Sequence, residues 1–498
     1  MYVHGGRIRG LAAVCSWTVL LVVLLPTLIL HSLDARFGGA LALQCVIVVH
    51  SGGALARVLT DVKVRIVAFG FWLFSYVWLG LAPLAMLATD TYPRGFIVDD
   101  KTAFAATAVV ETGLLAYSLG AALSGSRAHR DSTVLEPLLA RRMAPVRVLL
   151  LCGLALLLAA ALIPGQGGVA TFFASRQAAN EAASTAAQAD SATRAMAAWC
   201  LSVPAFWALV ALAHVPRIKD GDRTLRGVRW ILLPVLLVLN AIVNNPISQP
   251  RFWAGTVLLT VVFAFPAMRR PRAFRVGAAA IMVTVLVVFP YSDYFRYDKR
   301  EPVHVVSLAE QFTTNGDYDA YQQIQTGISY VHENGFTPTA ALGPPLFFVP
   351  RSVWPGKPAD AGILLAGHAG YTFDNLSAPL WVESYMWAGI PSLAIVFGLI
   401  GAVGRRVDDI RNRLRGQPGT LAAVLVPGFA FYQLILLRGS LMAIVGPLAL
   451  LLAIPLVITT KGRPRRTAGP AVRRAAAGSA PTTEPIEARP LGTGGPRP

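Results

Sequence analysis

YSDYFRYDKREP (291–302), NGDYDAYQQ (315–323), LGPPLFFVPRSVWPGKPADAG (342–362) and HAGYTFDNLSAP (368–379) belong to one stretch, 291–378, that interrupts an otherwise almost wholly apolar chain. Aromatics, arginines, carboxylates and prolines are mixed there in a way that suits neither lipid nor a tether. Connections of this length in compact folds are usually functional or disordered. The density of Tyr, Phe and Trp argues against disorder. The stretch is expected to be an ordered working surface between membrane spans. Within it, Asp317 to Glu333 reads as a helix ending before Gly335, and the prolines of 343–358 predict a non-helical wall.

The rest of the chain sets the class. Of 498 residues, 55% are hydrophobic and 14% charged, where a soluble domain has about 25% charged. A span needs about 20 apolar residues. Twelve segments qualify: 11–33, 38–56, 66–88, 103–123, 146–163, 195–215, 228–243, 252–268, 274–290, 379–401, 420–437 and 440–459. The spans at 38–56, with its His50-Ser51-Gly52-Gly53, and 228–243, which is short, are the weakest. With the N-terminus inside and every span crossing, 32 of the 44 Lys and Arg fall on the inner side, and each inner segment is basic. The net charge of +18 is therefore mainly topology, and no patch reads as a nucleic-acid footprint. The fold class is an all-α polytopic membrane protein with one large extracytoplasmic loop and both termini cytoplasmic. Residues 1–460 form the transmembrane domain. The tail 461–498, rich in Arg, Pro, Ala and Gly, is expected to be disordered and drawn to anionic lipid.

The remaining outer segments are short, except 164–194. Its alanine-rich run predicts an interfacial helix with Phe172 and Phe173 toward lipid. The first span is too long for a signal-peptide core. Cys15, Cys45, Cys152 and Cys200 all fall in spans, without CxxC spacing. His304, His332 and His368 lack ligand spacing, so no metal site is expected. No Walker A or GxGxxG context appears, so no nucleotide or other cofactor is implied. No inverted repeat of the transporter kind is visible.

Twelve basic residues lie outside against the positive-inside pressure. Arg176, Arg251, Arg296, Arg300, Arg351, Lys357 and Arg438 sit near span ends or in the two long outer segments. A guanidinium fork there suits a pyrophosphate; interfacial snorkelling is the alternative for each. Asp317, Asp319, Asp374, Glu383 and His368 are candidate general bases. Glu383, four residues into the span of PLWVESYMWAG, is the sharpest, because an ionisable group at that depth is costly. An ion pair with one of the arginines is its alternative. Tyr291, Tyr294, Phe295, Trp354 and Tyr371 suit sugar stacking or an interface belt.

GDYDAYQQ, then LGPPLFFVPRSVWPGKP, then SAPLWVESYMWAGIPS resembles the Wzy-type oligosaccharide repeat-unit polymerases, the O-antigen polymerase family. The similarity covers roughly 240–400. PR-x-x-WP-x-KP (Pro350–Pro358) is its most specific piece, and E-x-Y-x-x-x-G (Glu383–Gly389) a weaker one. The resemblance implies a metal-independent membrane glycosyltransferase of the GT-C-like type in the bacterial cytoplasmic membrane. It would polymerise undecaprenyl-pyrophosphate-linked oligosaccharide units into a surface polysaccharide on the outer face. On this reading Glu383, His368 and Asp374 are catalytic. Arg176, Arg251, Arg296, Arg300, Arg351, Lys357, Asp317 and Tyr385 bind substrate. The partners are the lipid-linked donor and acceptor, membrane lipids and a chain-length regulator, with no nucleic acid. An O-antigen-ligase-like transferase shares this architecture. A polysaccharide or lipid-linked-sugar transporter is the rival from another class. A polyprenyl-phosphate-sugar transferase needs acidic residues in the first outer loop, and 34–37 offers only Asp34.

Overall fold

Runs of Leu, Val, Ala and Ile bounded by Arg, Pro and Gly become helices, since a chain in lipid satisfies its N–H and C=O groups only by internal bonding. The computed structural model describes residues 11–31, 33–95, 98–126, 134–174, 191–215, 223–247, 249–291, 306–373 and 376–461. The first nine principal helices are α1 (Leu11–His31), α2 (Gly39–Thr60), α3 (Ile66–Thr89), α4 (Asp100–Ser126), α5 (Pro145–Gly165), α6 (Ser191–His214), α7 (Arg223–Val243), α8 (Arg251–Ala264) and α9 (Pro271–Tyr291). They are followed by α10 (Ala320–Asn334), α11 (Ala361–His368), α12 (Leu380–Ala388), α13 (Ile390–Arg413), α14 (Leu421–Arg438) and α15 (Leu441–Val457). A two-residue antiparallel pair joins β1 (Arg142–Met143) to β2 (Thr459–Thr460).

Among the described residues, nine helices are long and apolar enough to cross a bilayer: α1 to α6, α9, α13 and α14. The other three expected spans correspond to shorter apolar helices, Gly227–Val243 within α7, α8 and α15. At 1.5 Å per residue the 14 residues of α8 reach about 21 Å, short of the roughly 30 Å hydrocarbon core. The chain is thus an all-α polytopic membrane protein, with nine full-length candidate spans among the described residues and three shorter apolar helices at the other expected positions.

Long-range bonds sort the connections into two sets. In one, Arg141 donates to Thr459 O, Arg275 to Thr60 O, Arg269 to Arg415 O and Arg413 to Glu136, while Asn412 bonds both ways with Val64. In the other, Arg36 N bonds Ala88 O, Asn245 bonds Phe172 O, Arg251 and Arg438 meet Asp317, and Thr337 N bonds Met386 O. The two sets contain the same segments as the two groups that the charge count separates. The short helices α7, α8 and α15 each run from one set to the other. Alkaline phosphatase fused after Thr339 is expected to be active and after Thr460 inactive; the reverse pattern would invert the assignment of the two ends.

Two local features position the site. The π-helical stretch Ser75–Leu81 lies within α3, where the side chain of buried Gln44 donates to Leu79 O and Gly80 O, both at 2.7 Å. A side chain inserted into the helical ladder supplies donors for displaced carbonyls. One turn of this stretch carries Trp78, whose indole donates to Asp317 O at 3.0 Å. The expected span 379–401 is divided at Gly389, which sits at φ +72 and is followed by Pro391 in the first turn of α13. Only glycine takes that conformation without strain. Glu383 therefore lies on a separate short helix, α12, rather than inside a continuous span.

α4 and α13 pack backbone to backbone. A Cβ on Gly401 would lie 2.1 Å from Tyr117 O, and one on Gly120 2.0 Å from Gly398 O. Small residues of this kind let membrane helices approach closely. Gly401→Val is expected to cost about 1–3 kcal/mol by forcing the pair apart. An unchanged melting temperature in detergent would contradict this contact.

Candidate functional site

GDYD, in the long interrupting stretch, is shaped by its own asparagine. Asn315 Oδ1 accepts from Asp317 N at 3.0 Å, capping the 3-10 turn Gly316–Tyr318, and its amide donates to Pro290 O at 3.3 Å. The turn leads into α10, which stops at Gly335 with φ +79, as the sequence predicts. Asp317 and Asp319 flank Tyr318, whose ring is fully buried against Phe312 and Trp78.

Three arginines from three distant segments close on these two aspartates. Arg251, the first residue of α8, places Nη2 2.6 Å from Asp317 Oδ2. Arg438, the last residue of α14, donates through Nη2 to Asp319 Oδ1 at 2.9 Å and through Nε to Asp317 O at 3.1 Å; it also lies 3.9 Å from Asp317 Oδ1. Arg94, beyond the end of α3, donates from Nε to Asp319 Oδ2 at 3.3 Å. Its backbone N–H is held by Gln322 Oε1 at 3.0 Å. Ser377 Oγ donates to Asp319 Oδ1 at 2.8 Å. Tyr371, whose phenol burial pushes up to about 12, donates to Arg94 O at 3.4 Å.

Each guanidinium also lies over a ring: Arg94 over Phe373 at 5.2 Å, Arg251 over Phe289 at 5.5 Å and Arg438 over Phe252 at 5.3 Å. Stacking and fork geometry hold a guanidinium in one orientation, which a lysine cannot reproduce. Asp319 is fully buried, whereas Asp317 and the three arginines keep 12–29% of their side chains accessible. The Nη1 groups of Arg94 and Arg438 make no hydrogen bond among the described residues. Among the described residues three guanidinium groups meet two carboxylates here, and guanidinium forks so placed suit a further anion.

The other expected site residues divide. Arg251 and Asp317 are in the cluster. Arg351 instead donates to Lys357 O at 2.8 Å and Pro358 O at 3.3 Å, and Lys357 Nζ to Phe347 O at 2.7 Å and Val349 O at 3.0 Å. These two cations brace the proline-rich wall, which is built of turns as expected. His368, the last residue of α11, shares a hydrogen bond with Ser329 Oγ at 3.1 Å and lies 3.8 Å from Glu333. Tyr385 packs its ring on Phe336 at 5.9 Å. Arg176, Arg296, Arg300 and Asp374 lie outside the described residues, as do Tyr294, Phe295, the run 175–190 and nearly all of the tail 461–498.

Glu383 is buried and makes no ion pair with an arginine among the described residues. Its Oε1 accepts from Ser440 Oγ at 3.0 Å, and both oxygens face Leu441 N at 3.1 Å. It therefore caps the N-terminus of α15 from another helix, two residues from Arg438. A carboxylate suits that place because the first N–H groups of a helix lack intrahelical partners.

Arg94 was not singled out by the sequence reading. Its one signal is being an arginine in an outer loop, against the charge rule, in TYPRG. No protein-family model matches the chain, and no curated protein or solved structure shows significant similarity to it.

Proposed function

We propose that the protein is a membrane glycosyltransferase that joins polyprenyl-pyrophosphate-linked oligosaccharide units on the outer face of a bacterial cytoplasmic membrane. One observation carries this reading: three stacked arginines from separate connections meet two aspartates at a single end of the bundle. Such a group matches a pyrophosphate, whose oxygens take bidentate guanidinium bonds. The acceptor hydroxyl attacks the anomeric carbon of the donor. The bond from that carbon to the pyrophosphate oxygen breaks, and the lipid pyrophosphate leaves with the electron pair. Arg251, Arg438 and Arg94 stabilise the charge it gains. Asp317, the accessible carboxylate of the pair, takes the hydroxyl proton. Asp319 is a positioning residue that holds Arg94 and Arg438.

The test uses purified full-length protein in nanodiscs with a synthetic lipid-pyrophosphate oligosaccharide. The native protein is expected to yield products of several repeats. Arg251→Ala is expected to lower the rate by about 10²–10³-fold, the cost of deleting one preorganised donor. Transfer only to a different acceptor glycan would indicate a ligase. Absence of any glycosyl transfer, or full rate in Arg251→Ala, would overturn the reading.

A further inference from the structure

At the opposite end of the bundle, Arg411 near the C-terminus of α13 is 5% exposed, and its Nε and Nη2 have no hydrogen-bond partner. Among the described residues no carboxylate lies within ion-pair distance of it. Asp408, one turn earlier, is fully buried and spends its two oxygens on Val67 N and Ala68 N, both at 3.1 Å. Arg411 lines a cavity together with Arg269, Arg415, Asn412 and Thr420. Arg269 donates through Nη1 to Arg415 O at 3.1 Å, while its Nε is also buried without a partner. No acidic residue is among the lining. Asp408 attracts Arg411 through space but accepts no bond from it, so two buried N–H groups lack an acceptor. Leaving them so costs about 1–3 kcal/mol or more each, and an anion would relieve it.

We infer that this cavity is a binding site for a phosphate-bearing anion, either an anionic phospholipid headgroup or free inorganic phosphate. The enclosed volume is small, about 10 Å³, which admits one oxygen. One phosphate oxygen enters between Arg411 and Arg269, and the rest of the group sits at the mouth beside exposed Arg415. The place is apt for a lipid, since it lies in the segments that the charge count puts on the cytoplasmic side, where anionic headgroups gather near basic pockets between helices. The site is separate from the arginine cluster of Arg94, Arg251 and Arg438.

The full-length protein in neutral detergent is titrated with phosphatidylglycerol, phosphatidylcholine or inorganic phosphate, with melting temperature and lipid retention in native mass spectrometry as readouts. Phosphatidylglycerol, and not phosphatidylcholine, is expected to raise the melting temperature of the native protein. In Arg415→Gln, which alters an exposed side chain and should fold, retention weakens by about tenfold, the value of one charge-assisted contact. In Arg411→Met, checked for a cooperative melt in neutral detergent, the lipid-specific shift disappears. An equal shift from inorganic phosphate assigns the site to the free anion, and none assigns it to lipid. The inference is overturned if neither anion stabilises the native protein selectively, or if both variants respond as the native protein does.

Discussion

Asp319→Ala is expected to lower stability by about 3–5 kcal/mol, the cost of removing one partner from a buried ion cluster. Asp319 is fully buried and receives Arg438, Arg94 and Ser377 together. Without it two guanidinium groups face each other across a cavity, and only Asp317, 3.9 Å from Arg438, remains to offset them. The measurement is thermal or chemical unfolding in detergent, set beside Arg438→Met and the double variant. Because the two residues share one bond, the double variant should be more stable than the sum of the single losses implies, by about 1–3 kcal/mol. Strict additivity, or an Asp319→Ala protein that melts with the native one, would show that the aspartate does not organise the arginines. Under the proposed function glycosyl transfer should fall with it, since the displaced arginines no longer converge on one point.

The cluster was only partly legible in the sequence because its members lie far apart in the chain. Arg251 and Asp317 drew attention through a local oddity: a cation at a span entrance, and a polar GDYD in an apolar chain. Arg94 had no such context, and what brings it into the cluster is Gln322 and Asp319 across more than 200 residues. Arg351 and Lys357 show the converse. Their motif is distinctive, and in the structure both cations bond nearby carbonyls and brace the turns, apart from the cluster. The alternation of helices was legible because lipid imposes it on every segment. The break at Gly389 was written locally as Gly-Ile-Pro, but hydropathy averages over such a signal. The cap on α15 had its trace in Ser440, a favoured N-cap residue before an apolar run. That Glu383 would join it depended on packing alone.

That contact decides what to expect of Glu383. A general base must reach the acceptor hydroxyl, and its loss should depress kcat by about 10²–10⁴-fold while donor KM holds. A positioning residue acts through what it holds. Glu383 holds Ser440 and Leu441, and through that turn it fixes Arg438, so its loss should appear in donor KM and in stability. The geometry favours positioning: both oxygens are already engaged with the start of α15. Glu383→Gln keeps one carbonyl acceptor for Leu441 N, so it is expected to cost about 1 kcal/mol, raise donor KM and change kcat by less than about tenfold. Glu383→Ala leaves the Ser440 hydroxyl and the Leu441 N–H buried without a partner beside a new cavity, and should cost about 2–4 kcal/mol. Kinetics of both variants in nanodiscs, with melting curves, separate the roles. If Glu383→Gln melts like the native protein, keeps its donor KM and loses kcat by more than about 100-fold, the carboxylate is the base. Asp317 then returns to being a partner of Arg251, and the reacting centre moves from the rim of α8 to the start of α15.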